Sequence, residues 1–223
     1  MAAFNPIIRS YLQGVSNNAH GRLLDVGCGN KPYRDLFAHV TEYIGMDRAF
    51  SAVDAQRPDA IGRSEHYDVD GQADKMPFPD QWFDSILCTQ VIEHLPDPQR
   101  FFVEAARVAV PGAVLILTAP LINPVHEAPC DFYRYTNFGL VELCRRTGWQ
   151  VEQVTPMGGA WLAVGYLLLH ASAHRAMRAS SPVGRRAWQM LGERGYALLT
   201  RMDLRYPQPE APVGFLLVAR KPP

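Results

Sequence analysis

The stretch Leu23-Leu24-Asp25-Val26-Gly27-Cys28-Gly29-Asn30-Lys31-Pro32 is an apolar strand that runs into a glycine-rich turn and then a helix start. Turns of this kind admit a nucleotide-like ligand, because glycine accepts positive φ and lets backbone N–H groups come close. Two departures from the dinucleotide pattern G-x-G-x-x-G narrow the choice. The third glycine, which allows close helix packing below a pyrophosphate, is replaced by Pro32. An acid, Asp25, also precedes the first glycine inside the strand, where it can meet a cationic amine. A second acid, Asp47, closes the next apolar run, Tyr43-Ile44-Gly45-Met46-Asp47. It falls about 20 residues past the turn, the spacing at which a carboxylate reaches a ribose hydroxyl.

An amine and a ribose without a pyrophosphate describe S-adenosylmethionine. Three further segments support that reading: Lys75-Met76-Pro77-Phe78-Pro79-Asp80-Gln81-Trp82-Phe83-Asp84, Val91-Ile92-Glu93-His94-Leu95-Pro96-Asp97-Pro98 and Val110-Pro111-Gly112-Ala113. With the glycine turn they form an ordered series that resembles the class I S-adenosylmethionine-dependent methyltransferases, in the methyltransferase type 11 group. The segment His126-Glu127-Ala128-Pro129-Cys130-Asp131-Phe132-Tyr133-Arg134-Tyr135 is similar to the H-E-x-P-x-D-x-x-R-Y pattern of a bacterial subgroup. That subgroup is associated with assembly of cell-surface polysaccharides or glycolipids.

The composition is compatible with this picture. A chain of 223 residues with 48% apolar residues suits one α/β domain, residues 1–223, with a modest appendage. Its 22 basic and 22 acidic residues cancel, so no global positive field draws it to nucleic acid. Cys28, Cys88, Cys130 and Cys144 are scattered without a C-x-x-C pair, and no basic-then-apolar signal segment opens the chain, so a reducing cytoplasmic setting is expected.

Short apolar runs alternate with helix-period segments, which predicts a Rossmann-like, seven-stranded, mostly parallel sheet with helices on both faces. After the glycine turn, Tyr33, Leu36, Phe37 and Val40 fall at i, i+3, i+4 and i+7 and predict a helix. Ser64 to Val69 reads as a third strand, Phe83 to Cys88 as a fourth and Ala113 to Thr118 as a buried fifth. Asp97 reads as the N-cap of a helix with Pro98 at its first position, whose Phe101, Phe102, Ala105 and Val108 face the sheet. Thr136 is expected to cap the next helix and Gly148 to end it, with strands from Trp149 and over Gly214 to Arg220 completing the sheet.

The resemblance implies roles for individual residues. Gly27, Cys28 and Gly29 would underlie the methionine part of the cofactor, Asp25 would help to hold its amine, and Asp47, with Arg48 beside it, would take the ribose. The acid that usually meets the adenine amine is here Gln72, whose carbonyl can accept the same hydrogen bond. Asp70 is close enough to substitute, and Ala73 would supply a backbone contact. Asp74 reads as an ordinary solvated loop residue. Thr89 and Gln90 would form the floor beneath the methionine.

Methyl transfer from a sulfonium needs an aligned lone pair on the acceptor and often a base for its proton. Two polar clusters lie at expected strand ends. Glu93-His94 and His126 are the candidate catalytic groups, able to form a general-base site or an N/O metal site. Related enzymes carry E-x-x-E-H there and use it for a divalent cation, but the first glutamate is here Gln90, so the metal is not favoured. Glu127, Asp131, Arg134 and Tyr135 are the candidate substrate contacts. Arg134 would either clamp a substrate carboxylate or phosphate or form a structural ion pair with Asp131 or Glu127.

About 55 residues, Met157 to Pro212, separate the last two expected strands, where a short hairpin is usual. They contain two apolar helix-length pieces around Ser180-Ser181-Pro182. Between Met157 and Tyr206 seven arginines stand against Glu193 and Asp203, a local excess of +5. Such a pair can lie on an anionic membrane, cover a lipid-linked substrate, form a homodimer face or pack as a lid on its own domain, and the lid is preferred. The expectation is thus S-adenosylmethionine-dependent methylation of oxygen on a small-molecule or lipid-linked saccharide-type acceptor. The rivals are an RNA 2′-O-methyltransferase and a cofactor-binding regulatory or scaffold protein without turnover.

Overall fold

The structure is a computed structural model that describes residues 5–48 and 66–223. The described elements are α1 (Asn5–Val15), β1 (Arg22–Val26), β2 (Glu42–Asp47), β3 (Val69–Asp70), β4 (Phe83–Thr89), α2 (Pro98–Val108), β5 (Ala109–Pro120), α3 (Asn137–Arg146), β6 (Gln150–Met157), α4 (Ala160–Met177), α5 (Pro182–Arg205) and β7 (Gly214–Arg220). The seven strands form one sheet in the order β3-β2-β1-β4-β5-β7-β6. β1 to β5 pair in parallel, whereas β7 runs antiparallel to both β5 and β6.

Alternation along the strands builds two cores. Leu24, Val26, Ile86, Cys88, Leu115, Leu117, Leu217 and Ala219 point to one face, where Phe101, Phe102 and Ala105 of α2 and Leu140 and Cys144 of α3 cover them. Leu23, Leu87, Val114, Ile116, Leu216 and Val218, one residue out of phase, meet Ile8, Leu12 and Val15 of α1 and Leu162, Ala163 and Tyr166 of α4. A period of two on central strands therefore produces helices on both faces, because each face must bury its apolar half.

Several local expectations hold. Thr136 Oγ1 accepts from Gly139 N at the start of α3, and Gly148 sits at φ +82 beyond its end. β7 has the expected bounds. Others change. The helix expected after the glycine turn is a single 3₁₀ turn, Arg34–Phe37, held by i→i+3 bonds such as Leu36 N to Tyr33 O. Pro32 and the positive φ of Lys31 leave the chain no regular α entry, yet Tyr33 and Phe37 are still buried. Asp97 precedes α2 without a side-chain cap bond, so Pro98 alone marks the start. Of the expected third strand, Ser64 and Glu65 lie outside the described residues, and the described strand is Val69–Asp70.

The chain leaves β1 toward β2 and β3, then returns to place β4 on the other side. The crevice at this reversal, beyond the carboxyl ends of β1 and β4, is where open α/β sheets bind ligands.

Candidate active site

At the reversal, the end of β1 is stitched to β2 by Gly27 N and Cys28 N, which both donate to Met46 O at 2.8 and 3.1 Å. Gly27 has φ +69, and a Cβ there would lie 2.4 Å from Val91 Cγ2. Glycine is needed on both counts. Asp47, at the tip of β2, accepts from Gly29 N through Oδ2 and from Arg48 N through Oδ1, each at 2.8 Å. The carboxylate thus fixes the turn. Asp70 pairs with Asp47 across the β2–β3 register, and Gln72 forms a bridge with Lys75 directly after it. Ala73 packs against the first core. Asp68 accepts from Lys31 Nζ at 2.6 Å and from Gly45 N at 2.7 Å, so it is part of the scaffold. Asp74 lies 3.9 Å from Arg100 on the surface.

Asp25 is buried, and Tyr43 Oη donates to its Oδ2 while Oδ1 has no partner among the described residues. Burial pushes this carboxyl up to about 7, although the tyrosine bond pulls the other way. An unpartnered buried carboxylate oxygen next to a glycine turn is what a cationic amine would complete. Burial, with Asp25 and Asp47 nearby, lifts the Cys28 thiol to about 12 and makes it inert at neutral pH. Gln90, just past β4 at φ +55, is anchored twice to β5, through N to Thr118 O at 3.0 Å and Nε2 to Thr118 Oγ1 at 3.2 Å. The residues expected to hold S-adenosylmethionine are therefore gathered at adjoining strand ends, and their chemistry fits it.

On the other side of β4, a 3₁₀ turn, Ile92–His94, carries Glu93 and His94. The loop after β5 brings His126 against them, with the two imidazoles 4.7 Å apart between centroids and nearly perpendicular. His94 Nδ1 lies 2.6 Å from Cys130 O, and His126 Nδ1 lies 3.0 Å from Pro124 O. A carbonyl can only accept, so both Nδ1 atoms carry hydrogen, and in the neutral form of either ring the lone pair is on Nε2. Burial holds the His94 imidazole below the ordinary histidine range. Glu93 is wholly buried with both carboxyl oxygens lacking a hydrogen-bond partner among the described residues, and burial raises it to about 8. Glu93, His94 and His126 offer ligand atoms within 4.8 Å of one another.

Arg134 donates through Nε to Asn123 O, through one terminal nitrogen to Asp131 Oδ1 and Tyr133 O, and through the other to Asp131 Oδ2 and Pro124 O. All of its N–H groups are used within the loop, so here it holds the loop and has no donor left to clamp a substrate; of the two open ion pairs, the one with Asp131 forms. Burial would raise the Asp131 carboxyl, but hydrogen bonds from Arg134 and from His126 N bring it down to about 2. Tyr135 is also buried, with Oη bonded to Ile92 O at 2.9 Å, and so braces the turn that carries Glu93. Glu127 sits at φ +52 in the same loop, its carbonyl accepting from Cys130 N.

Three residues outside the expected set also shape the site. Tyr43 is the partner of Asp25, and Tyr166 of α4 donates to Asn123 Oδ1 at 2.9 Å, which ties the inserted helices to the His126 loop. These pairings join segments far apart in sequence and leave no local pattern to read.

The mostly parallel sheet, its point of reversal and the acid-x-Gly-x-Gly turn define a Rossmann-like cofactor-binding protein. A family model described as a methyltransferase domain matches residues 24–117. A probable S-adenosylmethionine-dependent methyltransferase of Mycolicibacterium smegmatis is 30% identical over 182 residues, 74% of this chain and 68% of that protein. The ubiquinone biosynthesis O-methyltransferase of Coxiella burnetii is 30% identical over 137 residues, which are 60% of this chain and 56% of that protein, so the chain spans just over half of that relative's length. A solved S-adenosylmethionine-dependent methyltransferase from Archaeoglobus fulgidus has the same fold, with a TM-score of 0.58, 16% identity and coverage of 97% of this chain and 94% of that one. The chain belongs to the S-adenosylmethionine-dependent methyltransferases, and S-adenosylmethionine is its cofactor.

Proposed function

We propose that the protein methylates a hydroxyl oxygen on a small-molecule or lipid-linked saccharide-type acceptor. The observation that carries this reading is the paired imidazoles of His94 and His126, each with Nδ1 held by a backbone carbonyl and Nε2 left as a base. S-adenosylmethionine, when bound, supplies an electrophilic methyl group, and its loss leaves S-adenosylhomocysteine. Asp25, Asp47 and the Gly27–Gly29 turn orient the donor. A histidine Nε2 receives the acceptor proton, which a neutral hydroxyl must lose when its oxygen becomes an ether. Asp131, Arg134 and Tyr135 keep these bases in place.

A metal-assisted form of the same reaction is supported by the two orphaned oxygens of Glu93. Glu93, His94 and His126 make an N/O donor set suited to a divalent transition metal, which would lower the pKa of an acceptor hydroxyl. Gln90 is tied to Thr118 and adds no charge to this set.

Cell extract incubated with the protein and S-adenosylmethionine should yield a compound heavier by one methylene unit, detected by mass spectrometry. His94→Ala and His126→Ala should each lower turnover by about 100-fold or more with S-adenosylhomocysteine affinity retained. Normal turnover in both variants would remove the histidines from the mechanism. Loss of turnover on dialysis against a chelator, restored by metal, would assign the three groups as ligands instead of free bases.

A further inference from the structure

The α4–α5 hairpin is fastened at its base and leaves one side of α5 uncovered. Gly192, Tyr196, Leu199 and Asp203, at i, i+4, i+7 and i+11, face α4: a Cβ on Gly192 would meet Ser172, one on Gly165 would meet Leu199 and Tyr196, and Asp203 accepts from Gly159 N and Leu162 N. The opposite stripe is Leu191, Arg194, Leu198, Arg201 and Arg205, at i, i+3, i+7, i+10 and i+14, all exposed. Leu198 is 59% and Leu191 49% accessible, and Val183, Met190 and Leu204 flank them at the surface. Of the two acids in the segment, Asp203 is consumed at the start of α4, so the exposed side carries arginines against Glu193 alone.

Leucines alternating with arginines and almost free of acids suit a particular surface. Apolar side chains enter the acyl boundary while guanidinium groups meet phosphate. A second copy of this chain is a poor occupant, because a two-fold contact would set the arginine stripe against itself. Among the described residues no helix is long and apolar enough to cross a membrane, so the contact lies along the surface.

We propose that the outer stripe of α5 docks the protein on an anionic bilayer. This does not depend on which acceptor is methylated, and its test needs no turnover. Flotation with phosphatidylcholine vesicles containing increasing phosphatidylglycerol should carry a rising fraction of the protein, and added salt should release it. Each arginine near the surface contributes about a fivefold increase in partitioning, so Arg194→Gln, Arg201→Gln and Arg205→Gln together should reduce it by about a hundredfold. Leu198→Ser should weaken binding while leaving its salt dependence. Unchanged helicity and S-adenosylhomocysteine binding in these variants would show that the fold is intact. The proposal is overturned if the protein stays in the soluble fraction at every lipid composition, if it floats equally well with neutral vesicles, or if the arginine variants alter only self-association in sedimentation.

Discussion

Asp25 and Glu93 are both carboxyls buried with an unpartnered oxygen, one on each side of β4. Burial raises them to about 7 and about 8 from ordinary values of 3.8 and 4.5. The folded apo protein therefore binds more protons than the unfolded chain between those limits. Stability from these groups is complete below about pH 4 and is lost as pH rises through 7 to 8. The melting temperature of apo protein should fall across that window, and Glu93→Gln should flatten its upper part. A wild-type profile flat from about pH 5 to about pH 8 would count against both shifts. Asp47 makes a different demand: Asp47→Ala removes a charged acceptor and two turn bonds, and should weaken S-adenosylhomocysteine binding by about 1.5 to 3 kcal/mol in calorimetry. The places of Asp25 and Asp47 on adjoining strands were legible because each stands at a fixed offset from the glycines. Arg134 was legible only in its ion pair with Asp131, one of its expected alternatives; its bonds to the carbonyls of Asn123, Pro124 and Tyr133 were not, since only the folded loop brings these around it.

At the level of elements, strands were easier to read than turns. A buried strand such as β7 shows an apolar run whose ends are set by Gly214 and Arg220, whereas the 3₁₀ turn after β1 has the same apolar spacing as an α-helix and differs only in backbone bonds. α1 carries a signal as well, Ile8, Leu12 and Val15 at i, i+4 and i+7, with no chemical motif beside it. The hairpin was legible as an insertion from its length, and as two helices from Ser181-Pro182. Ser181 indeed caps α5 by accepting from Gly184 N at 3.1 Å. Within the hairpin, Leu162, Ala163 and Tyr166 of α4 enter the second core, whereas most of α5 faces outward. What fastens it is Asp203, which serves as a cap for α4 from another helix because Gly159 has no side chain to do so. Asp203→Ala should cost about 1 to 2 kcal/mol and speed hydrogen exchange at the Gly159 and Leu162 amides. Unchanged exchange there would mean that packing alone holds the hairpin.

For the whole molecule, a formal charge of zero conceals an uneven distribution, since the hairpin alone holds an excess of five positive charges. The sheet order was legible only as a class, because strand-and-helix alternation predicts a parallel sheet but the β5-β7-β6 edge depends on which strand reverses. The topology also places the glycine turn and the Glu93–His94–His126 cluster on opposite sides of β4, with Gly27 against Val91 at the dividing line. One thread crosses this plan. Tyr166 is bonded to Asn123, Asn123 to Arg134, Arg134 to Asp131, and Asp131 to the backbone of His126. The links run end to end, so the hairpin is a lever with the His126 loop on its short arm: whatever tilts the long arm must either carry the imidazole along or break a named bond.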